Sequence, residues 1–270
     1  MTAAGRRAGE LRARFAGLHR DGILVMPNAW DVGSARLLES LGFEAVATTS
    51  SGFAATLGRM DQRVTVAELL AHAAALTDAV AIPVSVDAEH GYADTPEGVA
   101  EAVDLLGQTG VAGVSIEDYH PGSGLFPLAV AVERVAAAVE AAARHAVVLT
   151  ARSENHLYGV TDLDDTITRL GAFRAVGADV VYAPGLADLD DISRLVAAVD
   201  APVNVLLLRD GPAVPDLAAV GVRRVSTGGS LAFAAYGALA AAARELLATG
   251  TSAYAAGALS PVDRAAAFDH

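Results

Sequence analysis

A single (β/α)8 barrel of TIM type is the fold that this sequence predicts, and three observations predict it. A helix-to-strand junction recurs: an apolar residue, then glycine, then a short apolar run. Amphipathic helical stretches lie between the junctions. The apolar runs alternate with those stretches about eight times, at roughly 28 residues per unit, which suits a barrel of about 250 residues.

The junctions are Leu41-Gly42-Phe43 ahead of Ala45-Val46-Ala47, Thr109-Gly110-Val111 ahead of Val114-Ser115-Ile116, Val176-Gly177-Ala178 ahead of Val180-Val181-Tyr182, and Val220-Gly221-Val222 ahead of Val225-Ser226. Glycine ends a helix because it takes the left-handed backbone there without a Cβ clash. Apolar runs at 23–26, 83–86, 147–150 and 202–208 follow proline or loop signals. They read as strands buried on both faces, as a parallel sheet requires. Helices are expected over 64–80, 95–109, 130–145, 163–176, 188–199 and 230–249. A doubly wound sheet is the alternative, but no GxGxxG follows an early strand. No linker rich in Pro, Gly or Ser divides the chain. One barrel domain over 1–270 is expected, with an N-terminal helix over 1–20 and a C-terminal extension, helix or loose tail, over 250–270.

Composition narrows the chemistry. The hydrophobic fraction is 53% and the mean hydropathy +0.39, enough apolar surface for a large core. No apolar stretch is expected to approach the roughly 20 residues of a membrane helix, and the first 20 residues lack the apolar core of a secretory signal. A cytoplasmic protein without membrane or nucleic-acid partners is expected, because a net charge of −13 repels phosphate backbones. There is no cysteine, and all 19 basic residues other than histidine are arginine. Thiolate nucleophiles, Cys-ligated metals, Schiff-base lysines and a P-loop lysine are therefore excluded. What remains is carboxylates, histidines, hydroxyls, arginines and a metal.

In a barrel of this type the active site forms at the C-terminal ends of the strands. The second run ends in Thr48-Thr49-Ser50-Ser51-Gly52-Phe53, the third in Asp87-Ala88-Glu89-His90-Gly91-Tyr92, the fourth in Glu117-Asp118-Tyr119-His120, and the fifth in Arg152-Ser153-Glu154. Clustered acids followed by an arginine favour a hard cation, Mg²⁺ or Mn²⁺, over Zn²⁺. Helix caps and surface ion pairs are the alternative reading of such acids, and Asp94, ahead of Thr95-Pro96-Glu97, fits it. Arg152 either clamps a substrate carboxylate or neutralises Glu117 or Asp87. Ser50-Ser51-Gly52 offers a hydroxyl and backbone donors to an anion. Asp61 alone reads as a helix N-terminal charge. His90, His120 and His156 follow strands and are candidate proton shuttles. His19, His72, His145 and His270 read as structural or solvent-facing.

Taken together, Pro27-Asn28-Ala29-Trp30-Asp31, Ser34-Ala35-Arg36, Thr48-Thr49-Ser50-Ser51-Gly52, Leu57-Gly58, Asp61, the Asp87–Tyr92 block, Ile116-Glu117-Asp118 and Ala151-Arg152 resemble the isocitrate lyase/phosphoenolpyruvate mutase superfamily. The resemblance runs from about residue 15 to 230. It implies a barrel whose last helix is exchanged between paired subunits, as a dimer of dimers. It implies Mg²⁺ held largely through water by Asp87, Glu89 and Glu117, with Asp61 in the outer shell. It implies a small carboxylate seated on Ser51, Gly52 and Phe53 and gripped by Arg152, reacting through a metal-stabilised enolate. His120, Tyr92 or a metal-bound water would supply the proton. The gate segment departs from the family pattern: 118–127 reads Asp-Tyr-His-Pro-Gly-Ser-Gly-Leu-Phe-Pro, without the lyases' cysteine or the mutase's lysine and asparagine, and Pro184 stands where the mutase has a histidine. The expected activity is a carbon–carbon lyase or decarboxylase acting on a 2-oxo or 2-hydroxy acid. Phosphorus–carbon chemistry and a non-catalytic metabolite-binding barrel are the alternatives.

Overall fold

The computed structural model describes residues 3–269, so His270 lies outside it. Eight parallel strands follow one another in chain order around a cylinder. The first runs in two pieces, Leu24–Met26 and Asn28–Ala29, separated by Pro27. The others are Val46–Thr48, Val84–Asp87, Gly113–Glu117, Val148–Arg152, Val180–Tyr182, Val203–Leu206 and Arg224–Ser226. The first strand makes the seam. Leu24 pairs with Arg224 of the eighth strand, and Asn28 pairs with Ala47 of the second. Proline has no N–H to give, but the Pro27 carbonyl still accepts from the Ala47 amide at 2.9 Å.

Alternation sets the two faces of each strand. Val84, Val86, Val114, Ile116, Leu149 and Val225 point outward into the main core beneath the helices. The inward set changes from apolar at the strand starts to polar at their ends. Helix α1 (Ala3–Gly17) closes the lower end, where fully buried Phe15 packs on Leu24, Met26, Ala45, Ala47, Ala112, Val148 and Val180. Gly113 makes room for it: a Cβ there would sit 2.6 Å from the Phe15 ring.

Most helices start at a side-chain cap. Asp31 caps α2 (Val32–Ser40), Thr65 caps α4 (Val66–Ala79) and Thr95 caps α5 (Pro96–Gln108). Each cap satisfies backbone N–H groups that the helix itself leaves unpaired. Helix α6 (Leu128–His145) lies against α5. Asp162 and Asp188 cap α7 (Leu163–Ala175) and α8 (Leu189–Ala198). Short α9 (Val214–Ala219) precedes the eighth strand.

Three segments differ from the sequence expectation. The Ser50-Ser51-Gly52 stretch, which none of the predicted helices includes, is the first turn of α3 (Ser50–Thr56), because the Thr49 side chain caps it. The gate segment carries a small antiparallel hairpin, Tyr119–His120 with Gly124–Leu125. The third concerns apolar length: α10 (Ser230–Thr249) has 20 residues and a mean hydropathy of 1.4 over its most apolar window, enough by length and composition to cross a membrane. Alanine causes this, with Arg244 and Glu245 as the only charges. Ala232 is its only buried residue, while Phe233, Leu239, Leu246 and Leu247 are exposed. The chain then returns through α11 (Pro261–Phe268), which packs on α2.

Candidate active site

Arg152 organises the mouth of the barrel. Its Nη1 lies 2.8 Å from Asp87, its Nη2 3.2 Å from Glu117 and its Nε 2.7 Å from Glu154. These groups come from the ends of the third, fourth and fifth strands, where alternation turns every second residue inward. Glu117 and Arg152 are direct cross-strand neighbours. Burial opposes the charge of Arg152, but Glu154, Asp87 and Glu117 hold it firmly protonated. Burial pushes the carboxyls of Glu117 and Glu154 upward, against the pull of Arg152. The Tyr182 ring lies 5.5 Å from the guanidinium carbon.

The remaining predicted acids surround this centre. Asp87 accepts from the Ser50 and Glu89 amides, at 3.4 and 3.3 Å. Glu117 accepts from the Gln62 side chain at 2.8 Å. Asp61 is exposed at the rim and shares a hydrogen bond with the Ser50 hydroxyl. Glu89 is only 2% exposed, and its Oε1 has no partner. Burial, then the charge of Asp87, pushes the Glu89 carboxyl up to about 8, while a hydrogen bond with Tyr92 opposes them. Glu89 and Tyr92 both have positive φ, 46° and 56°. A left-handed backbone is unfavourable for such residues and recurs where geometry serves a site.

Below the mouth lies a cavity of about 190 Å³, room for a small organic acid. Ser50, Ser51, Asp61, Asp87, Arg152, Pro184, Gly228 and Gly229 line its upper part. Ser85, Ser115, Tyr182, Asn204, Arg224 and Ser226 line the lower part. Of the lower group none was singled out from sequence: Ser85, Ser115, Tyr182, Asn204 and Ser226 sit within apolar runs, and Arg224 is one of an adjacent arginine pair. Gln62 and Glu154 were missed too: a loop glutamine carries no signal, and Glu154 becomes a partner of Arg152 only once the turn after the fifth strand is folded. Asp118 holds that turn, accepting from the Glu154 amide at 2.8 Å while Arg169 pairs with its other oxygen.

Other predicted residues lie apart from the cavity lining. His120 sits on the hairpin, its Nδ1 accepting from the Gly122 amide and its ring edge-on to His90 at 4.9 Å. His156 lies beside Thr166. Phe53 stacks on His72 with centroids 3.8 Å apart, and its amide donates to the Thr49 carbonyl. The Gly52 amide donates to the Thr49 hydroxyl. Of the triplet 51–53, Ser51 therefore offers its side chain to the cavity. Gly52 has a packing role: an added Cβ would stand 2.5 Å from Thr49 Cγ2 and 3.0 Å from Trp30. Gly52→Ala is expected to cost about 1–3 kcal/mol in urea unfolding, the range for overpacking; a loss below 0.5 kcal/mol would show that α3 shifts freely.

The donor set fits a hard divalent cation. Asp61, Asp87, Glu89, Glu117 and Glu154 place five carboxyls around one guanidinium, and Glu89 Oε1 is an orphaned buried acceptor. Among the described residues no three of these side chains form a ready-made ligand cluster, so a cation held here would have to keep much of its water, as Mg²⁺ can.

Comparison with known proteins agrees with this geometry. The family model described as phosphoenolpyruvate phosphomutase matches residues 15–247. An uncharacterized protein of Mycobacterium tuberculosis is 37% identical over 79% of this chain and 81% of its own. An oxaloacetate decarboxylase of Chromohalobacter salexigens is 32% identical over 77% of this chain and 75% of its own. A crystal structure from Burkholderia cenocepacia, described provisionally as a lyase/mutase, superposes with a TM-score of 0.92 at 44% identity, covering 96% of this chain and 95% of its own. With the barrel, the acid-rich mouth and this match over most of its length, the chain belongs to the phosphoenolpyruvate mutase/isocitrate lyase superfamily.

Proposed function

We propose that the protein is a Mg²⁺-dependent carbon–carbon lyase or decarboxylase acting on a small 2-oxo or 2-hydroxy carboxylate. Its superfamily contains lyases, decarboxylases and mutases, binds small carboxylates and is typically Mg²⁺-dependent. One observation carries the reading: Arg152, held by three carboxylates, opens onto a small cavity that also presents the Ser51 hydroxyl.

Asp87, Glu89 and Glu117, with Asp61 behind them, would hold the cation, and a bound cation supplies positive charge where negative charge develops. The chain's own groups do the rest. Arg152 and Ser51 orient the substrate carboxylate and the adjacent oxo group. When the carbon–carboxylate bond of a 3-carboxy-2-oxo acid breaks, carbon dioxide leaves and the electron pair moves onto the oxo oxygen. The Arg152 N–H groups oppose that charge within a site shielded from water. A proton must then reach carbon 3. Tyr92 and His120 are the predicted donors: Tyr92 is hydrogen-bonded to Glu89, His120 sits on the hairpin, and neither lines the cavity. Tyr119 stacks on Tyr158 with ring centroids 3.5 Å apart, in the electrostatic neighbourhood of Glu117 and Glu154. Decarboxylation needs little beyond this, which accords with a gate lacking the lyases' cysteine.

The test is turnover of a panel of 2-oxo and 2-hydroxy acids with Mg²⁺ and with EDTA. Activity with Mg²⁺ that EDTA abolishes is expected; equal rates in both would defeat the metal-dependent reading. Phosphorus NMR on phosphonopyruvate and phosphoenolpyruvate discriminates the mutase alternative, for which no spectral change is expected. Binding without any turnover would favour a metabolite-binding role. The exposed apolar side of α10 accords with a homo-oligomer in which this helix packs on a second copy, as in the dimer of dimers that the resemblance implies; sedimentation at micromolar concentration tests it, and a monomer would exclude it.

A further inference from the structure

The turn that carries Glu89 and Tyr92 is held by one buried arginine. No strand or helix spans residues 88–95, between the end of the third strand and the start of α5. Its carbonyls therefore find no partners within regular structure and need donors from elsewhere. Arg134 of α6 supplies them. Its Nη1 donates to the Asp94 carbonyl at 2.9 Å, and its Nη2 donates to the carbonyls of His90 and Ala93 at 2.7 and 2.8 Å. The guanidinium carbon lies 4.4 Å from the centroid of the Phe126 ring, next to the gate hairpin.

Arg134 is only 2% exposed. Burial lowers the pKa of the guanidinium, and the charge of Asp94 opposes this. The other buried positions of α6 are Ala131, Val135, Ala138, Ala141 and Ala142. An apolar side chain at 134 would avoid the cost of burying a charge; what the arginine secures is the shape of the turn. That shape needs holding. Glu89 and Tyr92 have φ of 46° and 56°, and Gly91 between them 81°. Residues with a Cβ stay in that region only where their surroundings fix them. The turn is also pressed against α5: a Cβ added to Gly91 would lie 3.0 Å from Val99, and one added to Gly98 2.6 Å from Ala93. In this conformation Glu89 and Tyr92 share a hydrogen bond, and the Glu89 carboxyl stands within electrostatic reach of Asp87, Asp61 and Arg152.

We infer that Arg134 is a positioning residue for the site: by holding the carbonyls of His90, Ala93 and Asp94 it fixes the left-handed turn, and so sets where the Glu89 carboxyl and the Tyr92 hydroxyl stand. It acts through the backbone of the turn. The inference rests on the proposal that Glu89 helps to hold a divalent cation.

Arg134→Lys keeps the positive charge, but a compact ammonium does not reproduce the planar fork that spans three carbonyls. Calorimetry on the full chain is expected to show Mg²⁺ bound about ten- to hundredfold more weakly in this variant, the usual cost of losing a group that orients a metal ligand. Hydrogen exchange read by mass spectrometry is expected to quicken over residues 88–95 and to stay as it was in the fourth and fifth strands. Arg134→Met should show both changes more strongly; if it fails to fold, Arg134→Lys decides alone. An arginine with a merely structural role would lower Tm while leaving Mg²⁺ affinity, measured below the unfolding transition, where it was. Unchanged Mg²⁺ affinity in Arg134→Lys, or exchange that quickens equally throughout the barrel, overturns the inference. Should the parent protein bind no Mg²⁺, the cation reading fails, and exchange then decides on Arg134 by itself: quickening confined to 88–95 supports its role, and none removes it.

Discussion

Arg152→Gln is expected to lower kcat/KM by at least about a thousandfold on any 2-oxo acid the protein turns over. Removing a single preorganised donor to a developing oxyanion typically costs a hundred- to a thousandfold, and Arg152 combines that task with orienting the substrate. Stability should fall as well, by about 3–5 kcal/mol, because removing one partner strands the others in a buried site. The geometry states which groups are stranded: Asp87, Glu117 and Glu154, each within 3.2 Å of a different guanidinium nitrogen. Arg152→Lys should rescue little, since one ammonium cannot face three acids arranged around a planar fork. Steady-state kinetics and urea unfolding of the two variants test this. Activity within tenfold of the parent protein in Arg152→Gln would remove Arg152 from the reaction.

Without metal, the protein is expected to lose stability as pH rises from about 4.5 to about 8. Glu89 is the main reason. Its folded carboxyl is pushed up to about 8 from an ordinary 4.5 by burial, then by Asp87. Across that window the folded chain holds a proton that the unfolded chain has released. Stability therefore declines with pH, by a few kcal/mol if the whole shift is expressed, at about 1.4 kcal/mol per pH unit. Glu117 and Glu154 shift in the same direction and steepen the slope. Glu89→Gln, uncharged at every pH, should flatten it. Mg²⁺ should act in the opposite sense: ligands must be deprotonated to bind it, so the rise in Tm on adding it should be larger at pH 8 than at pH 6. A Tm that is flat from pH 5 to 8 without metal, and unmoved by Mg²⁺, would count against both the raised carboxyls and the cation site.

Much of the barrel was legible in the sequence for a local reason. Gly42, Gly110, Gly177 and Gly221 all take positive φ, between 89° and 106°, at the junctions where the helix-to-strand pattern placed them. The acids of the mouth were legible because a charged residue directly after a buried run has few places to go. The lower cavity was not. Arg223 and Arg224 are adjacent and alike in sequence, yet Arg223 is half-buried and reaches the Gly22 carbonyl while Arg224 points into the cylinder. Only the pleat of the eighth strand, fixed by its register with Leu24 and Asn204, tells them apart, and register depends on residues some two hundred positions away. The α3 helix was hidden by composition, since Ser-Ser-Gly signals a loop until the Thr49 cap is seen. The apolar length of α10 was hidden by its alanines, which look unremarkable one at a time.

The seam at Pro27 sets the order in which this molecule can be completed. Residue 24 finds its ladder partner at residue 224, so the cylinder stays an open sheet until nearly the whole chain has been synthesised. Until then two strand edges present unpaired amides and carbonyls to other nascent chains. Contacts of such long sequence separation are slow to form, which makes closure of the first strand onto the last the step at which aggregation competes with folding.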